Sequence, residues 1–120
     1  MSTPVGPYAP AVRAGPWLVC SGQIGLRTES GKTGLVDGGV AAQARQALEN
    51  VGALLAEHGR AWSDVVKTTV FLTDMAEYTT FNDIYIQALG DHRPARSLVA
   101  VAGLPLGALV EVEVWAYVPQ

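Results

Sequence analysis

The chain has 120 residues, of which 49% are apolar and only 16% charged, and its net charge is −3. One domain of this length buries roughly two thirds of the surface its unfolded chain exposes. Average domains carry about 25% charged residues, so the shortage of charge implies that part of the surface is kept from water, most simply by self-association. Eight scattered Lys and Arg form no basic stripe, which argues against a general nucleic-acid binder.

Residues 1–10 contain Pro4, Pro7 and Pro10 and are expected to be extended and irregular. No basic segment leads there into an apolar run, so no signal peptide is expected. No stretch reaches the roughly 18 apolar residues of a membrane span. Residues 17–22 form a short apolar run ending at Gly22 and read as a strand. The single cysteine, Cys20, lies inside it. It has no partner for an internal disulfide, which suits a reducing compartment, and a cytoplasmic location is expected.

Residues 25–39 carry Gly25, Gly31, Gly34, Gly38 and Gly39 and read as a polar loop with room for a short hairpin. A long helix follows, because Val40, Ala44, Leu48, Val51 and Leu55 recur at three- and four-residue spacing. Gln43, Arg45 and Glu49 are assigned to its other faces, and His58-Gly59 to its end. Residues 65–73, rich in Val, Thr and Phe, read as a buried strand. Asp74 and Glu77 have capping-box spacing and are expected to open a second helix with Phe81, Ile84, Tyr85 and Leu89 as its apolar stripe. Gly90 ends that helix. Residues 97–102 and 110–117 supply two further strands. In the last, Val110, Val112, Val114 and Ala116 face one way, and Glu111, Glu113, Trp115 and Tyr117 the other. The order predicts a single α+β domain over residues 1–120, a sheet with two helices on one face. Its other face then needs a cover, which an oligomer partner would provide.

Two features could carry chemistry. Arg96, in Pro94-Ala95-Arg96-Ser97, is the only charge between Arg93 and Glu111. Its planar fork suits a carboxylate bidentately, although an arginine here can also reach water or pair with an acid of its own chain. Glu111 and Glu113 emerge from one strand face roughly 7 Å apart. Carboxylates so placed can divide acid and base roles, and they can equally belong to a solvated face. Cys20 with His58 and His92 is an unconvincing nucleophile–base set, because Cys20 sits in an apolar strand and His58 at a helix end. The Cys, His and carboxylate spacings match no metal motif, so no metal is expected. The Gly-rich loop has neither the phosphate-loop pattern nor the dinucleotide fingerprint, and Ser21-Gly22 is not a nucleophile elbow.

Several segments taken together resemble the RidA/YjgF family. They are Gly6-Pro7-Tyr8, Ser21-Gly22-Gln23-Ile24, the helix segment from Gln43 to Val51, the strand segment from Asp64 to Leu72, Asn82-Asp83-Ile84-Tyr85, Pro94-Ala95-Arg96-Ser97 and Glu111-Val112-Glu113. They occur in family order over nearly the whole chain. The resemblance implies a chorismate-mutase-like fold in a homotrimer with an inner β-barrel and sites between neighbouring subunits. It implies hydrolytic deamination of enamines and imines, such as 2-iminopropanoate, to 2-oxo acids and ammonia, with no cofactor. Arg96 would bind the substrate carboxylate and Glu111 would stand near the imine and the attacking water. Tyr8, Ser21, Gly22, Asn82, Ser97 and Leu98 would line the cleft. This sequence departs from the best-known deaminases in a shorter stretch between Tyr85 and Pro94, with Leu89 in place of an aromatic, and in Leu98 where cysteine is frequent. A non-catalytic small-molecule-binding module and an endoribonuclease or translation inhibitor are the competing functions within the resemblance. The acidic net charge weighs against the last of these.

Overall fold

A computed structural model describes residues 6–119. In chain order the elements are β1 (Ala11–Ala14), β2 (Trp17–Cys20), β3 (Leu26–Glu29), β4 (Lys32–Leu35), α1 (Gly39–Glu57), β5 (Val65–Leu72), α2 (Tyr78–Leu89), β6 (Ala95–Ala100) and β7 (Val110–Tyr117). The alternation expected in β7 is present. Val110, Val112, Val114 and Ala116 are fully buried, whereas Trp115 and Tyr117 are exposed. Burying each valine contributes about 1.5–3 kcal/mol, and a one-residue slip would forfeit all three.

The main sheet has the order β1-β2-β7-β5-β6. β7 is antiparallel to both β2 and β5, while β5 and β6 run parallel. A parallel return needs a crossover, and α2 is that crossover. Helix α1 buries Ala44, Ala47, Leu48, Val51, Leu54 and Leu55, and α2 buries Phe81, Ile84, Tyr85 and Leu89. Both stripes enter one apolar cluster with Leu18, Val70, Leu72 and the inward residues of β7. The result is the expected α+β arrangement of a mixed sheet with two helices on one face. The other face carries Val12, Trp17, Phe71, Glu111, Glu113, Trp115 and Tyr117. Trp17 there packs edge-to-face on Trp115 and Tyr117, with centroids 6.3 and 5.7 Å apart.

Some local features differ from expectation. Residues 11–14 form an edge strand that the sequence did not signal. Its four residues are mostly exposed, and only pairing with β2 defines it as a strand. Of the N-terminal stretch expected to be irregular, residues 1–5 lie outside the described residues. β2 ends at Cys20 and β5 at Leu72, both short of the expected ends, and β6 begins at Ala95. The Gly-rich loop does contain a hairpin: Ser30 and Gly31 link β3 to β4 with φ of 52° and 78°, the doubly positive pattern that matches strand twist.

Asp74 does not open α2 directly. It accepts from Ala76 N at 2.9 Å and caps a separate 3₁₀ turn (Met75–Glu77), and α2 begins only at Tyr78 with no side-chain cap from Glu77. Gln43, assigned to an outward face of α1, is buried, because its Oε1 accepts from Leu109 N at 2.9 Å. Gly59, at φ 68°, ends α1 as expected, with Arg60 N donating back to Leu55 O. Among the described residues no helix is long and apolar enough to cross a membrane.

Candidate active site

Arg96 belongs to the edge strand β6 and stands beside Thr68 of β5, with Leu98 beside Val70. Thr68 and Val70 are fully buried under the helices. Neighbours in register share a face, so Arg96 and Leu98 leave the sheet on the helix side and Ser97 on the open side. The Arg96 guanidinium lies over the Tyr85 ring, 4.9 Å from its centroid, with the Tyr78 ring at 5.8 Å. Its Nη2 donates to Tyr78 Oη at 3.3 Å. Tyr85 is fixed in turn by a 2.9 Å hydrogen bond between its hydroxyl and the buried Thr68 Oγ1.

Among the described residues the ion pairs are Arg27–Glu29 and Arg60–Asp64, so no carboxylate neutralises Arg96. The guanidinium is held by aromatic faces and one neutral contact. A cation–π contact uses the face of the fork and leaves most of its in-plane N–H groups free.

Beside Arg96 is a cleft of about 310 Å³ lined by Asn82, Tyr85, Ile86, Arg93, Pro94 and Arg96. Asn82 is one of these lining residues, and its Oδ1 is buried without a hydrogen-bond partner among the described residues. A buried acceptor left without a donor costs about 1–3 kcal/mol, and such groups in a cleft mark a place where a ligand N–H or O–H belongs.

The second group of residues lies on the open face. Glu111 projects from the start of β7, half-buried, and Gln23 bridges to Val112 in the same strand through N–H···O bonds of 2.8 and 2.9 Å. That bridge presses the chain at Gly22 onto the Glu111 side chain. A β-carbon at Gly22 would fall 2.7 Å from Glu111 Cδ and 2.9 Å from Cγ, so only glycine leaves the carboxylate where it is. Ser21 Oγ donates to Ala9 O at 2.7 Å, and Ser21 N to Pro10 O at 2.8 Å. These bonds tie down the segment carrying Tyr8, which is itself exposed. Burial, and secondly the nearby charge of Glu113, raises the Glu111 pKa above the usual carboxylate value, which brings it closer to the range useful for proton transfer near neutrality. Ser97, on the same face, accepts from Lys67 Nζ at 2.9 Å.

The residues expected in one site therefore fall into two sets. Arg96, Asn82 and Leu98 are on the helix side, near the β6 edge. Ser21, Gly22 and Glu111 gather on the open side around β2 and β7, with Ser21 bonded to the segment that carries Tyr8. β5 separates β6 from β7, two strand spacings or about 10 Å, and the Arg96 and Glu111 side chains leave opposite faces of the sheet. Within a protomer Arg96 and Glu111 do not meet.

Sequence reading missed the parts played by Tyr78 and Arg93, and took Tyr85 only as a core residue. The available signal was their proximity in sequence to Asn82 and Arg96. Cys20 is buried, and burial pushes its thiol up to about 11, which agrees with its dismissal as a nucleophile. Ring nitrogens of His58 and His92 bond to the carbonyls of Leu54 and Val65.

The chain is 40% identical over 114 residues to a RutC family protein of Pyrococcus horikoshii, covering 95% of this chain and 89% of the relative. It is 45% identical over 109 residues to the human 2-iminobutanoate/2-iminopropanoate deaminase, covering 91% and 78% respectively. The crystal structure of RidA from an Antarctic Psychrobacter superposes with a TM-score of 0.89 at 38% identity, covering 97% of this chain and 92% of that one. The family model described as Endoribonuclease L-PSP matches residues 1–118. With the fold, the ordered motifs and these likenesses in agreement, the chain belongs to the RidA/YjgF family.

Proposed function

We propose that this protein hydrolyses 2-imino acids and their enamine tautomers to 2-oxo acids and ammonia, at sites shared between the subunits of a homotrimer. The observation that carries the reading is the cleft around Arg96, where a guanidinium without an acidic partner adjoins a buried, unpartnered Asn82 acceptor. A 2-imino acid supplies the two complementary groups, a carboxylate for the fork and an N–H for Asn82 Oδ1. Relatives named as 2-iminobutanoate/2-iminopropanoate deaminases support the same chemistry.

The imine carbon is already electrophilic, so neither a covalent nucleophile nor a cofactor is required. Arg96 fixes the substrate by its carboxylate, and such positioning supplies several kcal/mol. Glu111 accepts a proton from water as the oxygen adds to C2, giving a carbinolamine. That proton passes to the nitrogen to complete the neutral carbinolamine, the carbinolamine hydroxyl proton is then relayed through Glu111 to the amine, and ammonia leaves as the C–N bond breaks and the carbonyl forms. Water adds its oxygen to the product, and no electrons are transferred overall.

The opposite faces of Arg96 and Glu111 support a site built across two protomers. Arg96, Asn82 and Leu98 come from one, and Glu111, Gly22, Ser21 and Tyr8 from its neighbour. Ser97 stays on the open face that the trimer encloses. Trp17, Trp115 and Tyr117 on that face are what a trimer would cover.

Two measurements test the reading. Imines generated in situ by an amino-acid oxidase should yield 2-oxo acid and ammonia faster with the protein than without it, while sedimentation equilibrium returns about three protomer masses. Co-refolding Arg96→Ala with Glu111→Gln chains in equal amounts should restore about a quarter of the sites, because one ordering of neighbours in four reunites both native groups. No restored activity in an assembled mixed trimer would place both groups in one protomer and overturn the shared site.

A further inference from the structure

The cleft that holds Arg96 contains a second arginine. Arg93 and Arg96 both line it, and no acidic residue does. Arg93 is placed by its surroundings. Pro94 restricts the residue before it to extended backbone, and Arg93 Nη1 donates to the carbonyls of Gly90 and His92. The His92 ring is anchored in turn to Val65 O at 2.7 Å. These bonds engage one end of the guanidinium. Its Nε–H and Nη2–H groups have no bonds among the described residues.

Two uncompensated cations in one cleft repel each other and favour an anionic occupant. A monocarboxylic imino acid satisfies only one of them. Arg93 stands with Pro94 and Ile86 at the cleft wall.

We infer that this site selects 2-imino acids carrying a second carboxylate, of the four- and five-carbon dicarboxylate class, with the α-carboxylate on Arg96 and the side-chain carboxylate on Arg93. The inference rests on the deaminase reading for the role of Arg96. The spacing suits such molecules: three residues of chain hold the two Cα atoms no more than about 10 Å apart, and both side chains line the one cleft. The terminal carboxyl carbons of a five-carbon diacid lie about 5 Å apart, which leaves room for a charge-assisted hydrogen bond at each end. Ile86 and the Tyr85 ring supply apolar walls for the intervening methylene groups.

The test compares kcat/KM for imines generated in situ from glutamate and from 2-aminobutanoate, in the wild type and in Arg93→Gln. Calorimetric binding of the unreactive products 2-oxoglutarate and 2-oxobutanoate runs in parallel. The wild type is expected to prefer the diacid in both measurements, and Arg93→Gln to shrink the diacid-to-monoacid ratio by roughly tenfold, about 1.4 kcal/mol. A ratio is insensitive to any loss of folded protein. Equal handling of the two acids by the wild type, or a ratio unchanged in Arg93→Gln, overturns the inference. Turnover of the monoacid imine alone also overturns it while leaving the deaminase intact. Preferential binding of 2-oxoglutarate that depends on Arg93, without turnover of any imine, supports the selectivity of the cleft and removes the deaminase reading.

Discussion

Arg96→Ala separates a substrate-binding arginine from a structural one, and the geometry sets both magnitudes. Among the described residues Arg96 has no ion pair. It has a cation–π contact with Tyr85 and a 3.3 Å hydrogen bond to Tyr78 Oη. A partly exposed cation–π contact is worth about 0.5–1 kcal/mol, and a long neutral hydrogen bond adds less. The folded state should therefore lose about 1 kcal/mol, which lowers Tm by about 3–5 °C in a domain of this size. Activity should respond on another scale. Removing one partner of a bidentate charge pair in a partly dry cleft costs about 2–5 kcal/mol, a fall of roughly 30- to several-thousand-fold in kcat/KM. Arg96→Lys should recover little of it, since an ammonium cannot reproduce the fork. Melting curves and kinetics from the same preparations decide the matter. A variant that is destabilised yet keeps its specific activity would refute the assignment of Arg96 to substrate.

Glu111→Gln preserves shape but not basicity, so turnover should fall by about 10²–10⁴-fold while 2-oxo acid binding survives; binding lost in parallel with turnover would contradict a proton-transfer role. The raised Glu111 pKa places the acid limb of kcat/KM above the ordinary glutamate value of 4.5, and Glu113→Gln should move that limb down by removing the Coulombic part of the rise; an unmoved limb would show that another group sets it. A raised folded pKa stabilises the protein below the unfolded value, and that contribution is lost as pH rises through the folded value. Melting at pH 5 and pH 8 should accordingly show Glu111→Gln gaining stability relative to wild type chiefly at pH 8. Gly22→Ala should leave the fold intact but push the Glu111 carboxylate aside, with a loss of about 10²-fold in kcat for a displacement near 1 Å; full activity would show that the close approach is irrelevant. Cys20→Ala should cost about 1–2 kcal/mol of stability through the void it leaves and keep kcat within about threefold, because a thiol pushed up to about 11 supplies no thiolate near neutrality.

The parts of the fold legible in the sequence are those written by burial. The stripe of α1, the stripe of α2 and the alternation of β7 each record which face meets the core, and each was found where expected. What was not legible depended on partners remote in the chain. β1 is a strand only because β2 lies beside it, and its Ala-Val-Arg-Ala sequence carries no alternation that a core enforces. Gln43 reads as a surface residue until Leu109, sixty-six positions later, presents an N–H to it.

The candidate site was legible through motifs and not through periodicity. Arg96 and Glu111 stood out as charges in apolar surroundings, but strand parity within each segment could not reveal that they leave opposite faces. That needs the register of β6 on β5 and of β5 on β7. Tyr85 gave a core signal because its ring is buried, and this concealed its second role beneath the guanidinium.

The means of holding Arg96 bears directly on function. A carboxylate partner would position the fork more tightly, but it would occupy the donors a substrate needs and cancel the charge that attracts it. Tyr85 avoids both effects. Its ring touches the face of the cation, and its own position is secured at the far end by Thr68, so rigidity reaches Arg96 without neutralising it. Asn82 follows the same logic: its buried acceptor carries a standing cost in the free protein that a ligand N–H would relieve. Tyr85→Phe keeps the ring and removes only its tether. It should raise KM for the imine more than it lowers kcat, because the cation remains but is less firmly placed. A kcat loss without a change in KM would show that the Thr68–Tyr85 bond supports the chemical step and not the placement of Arg96.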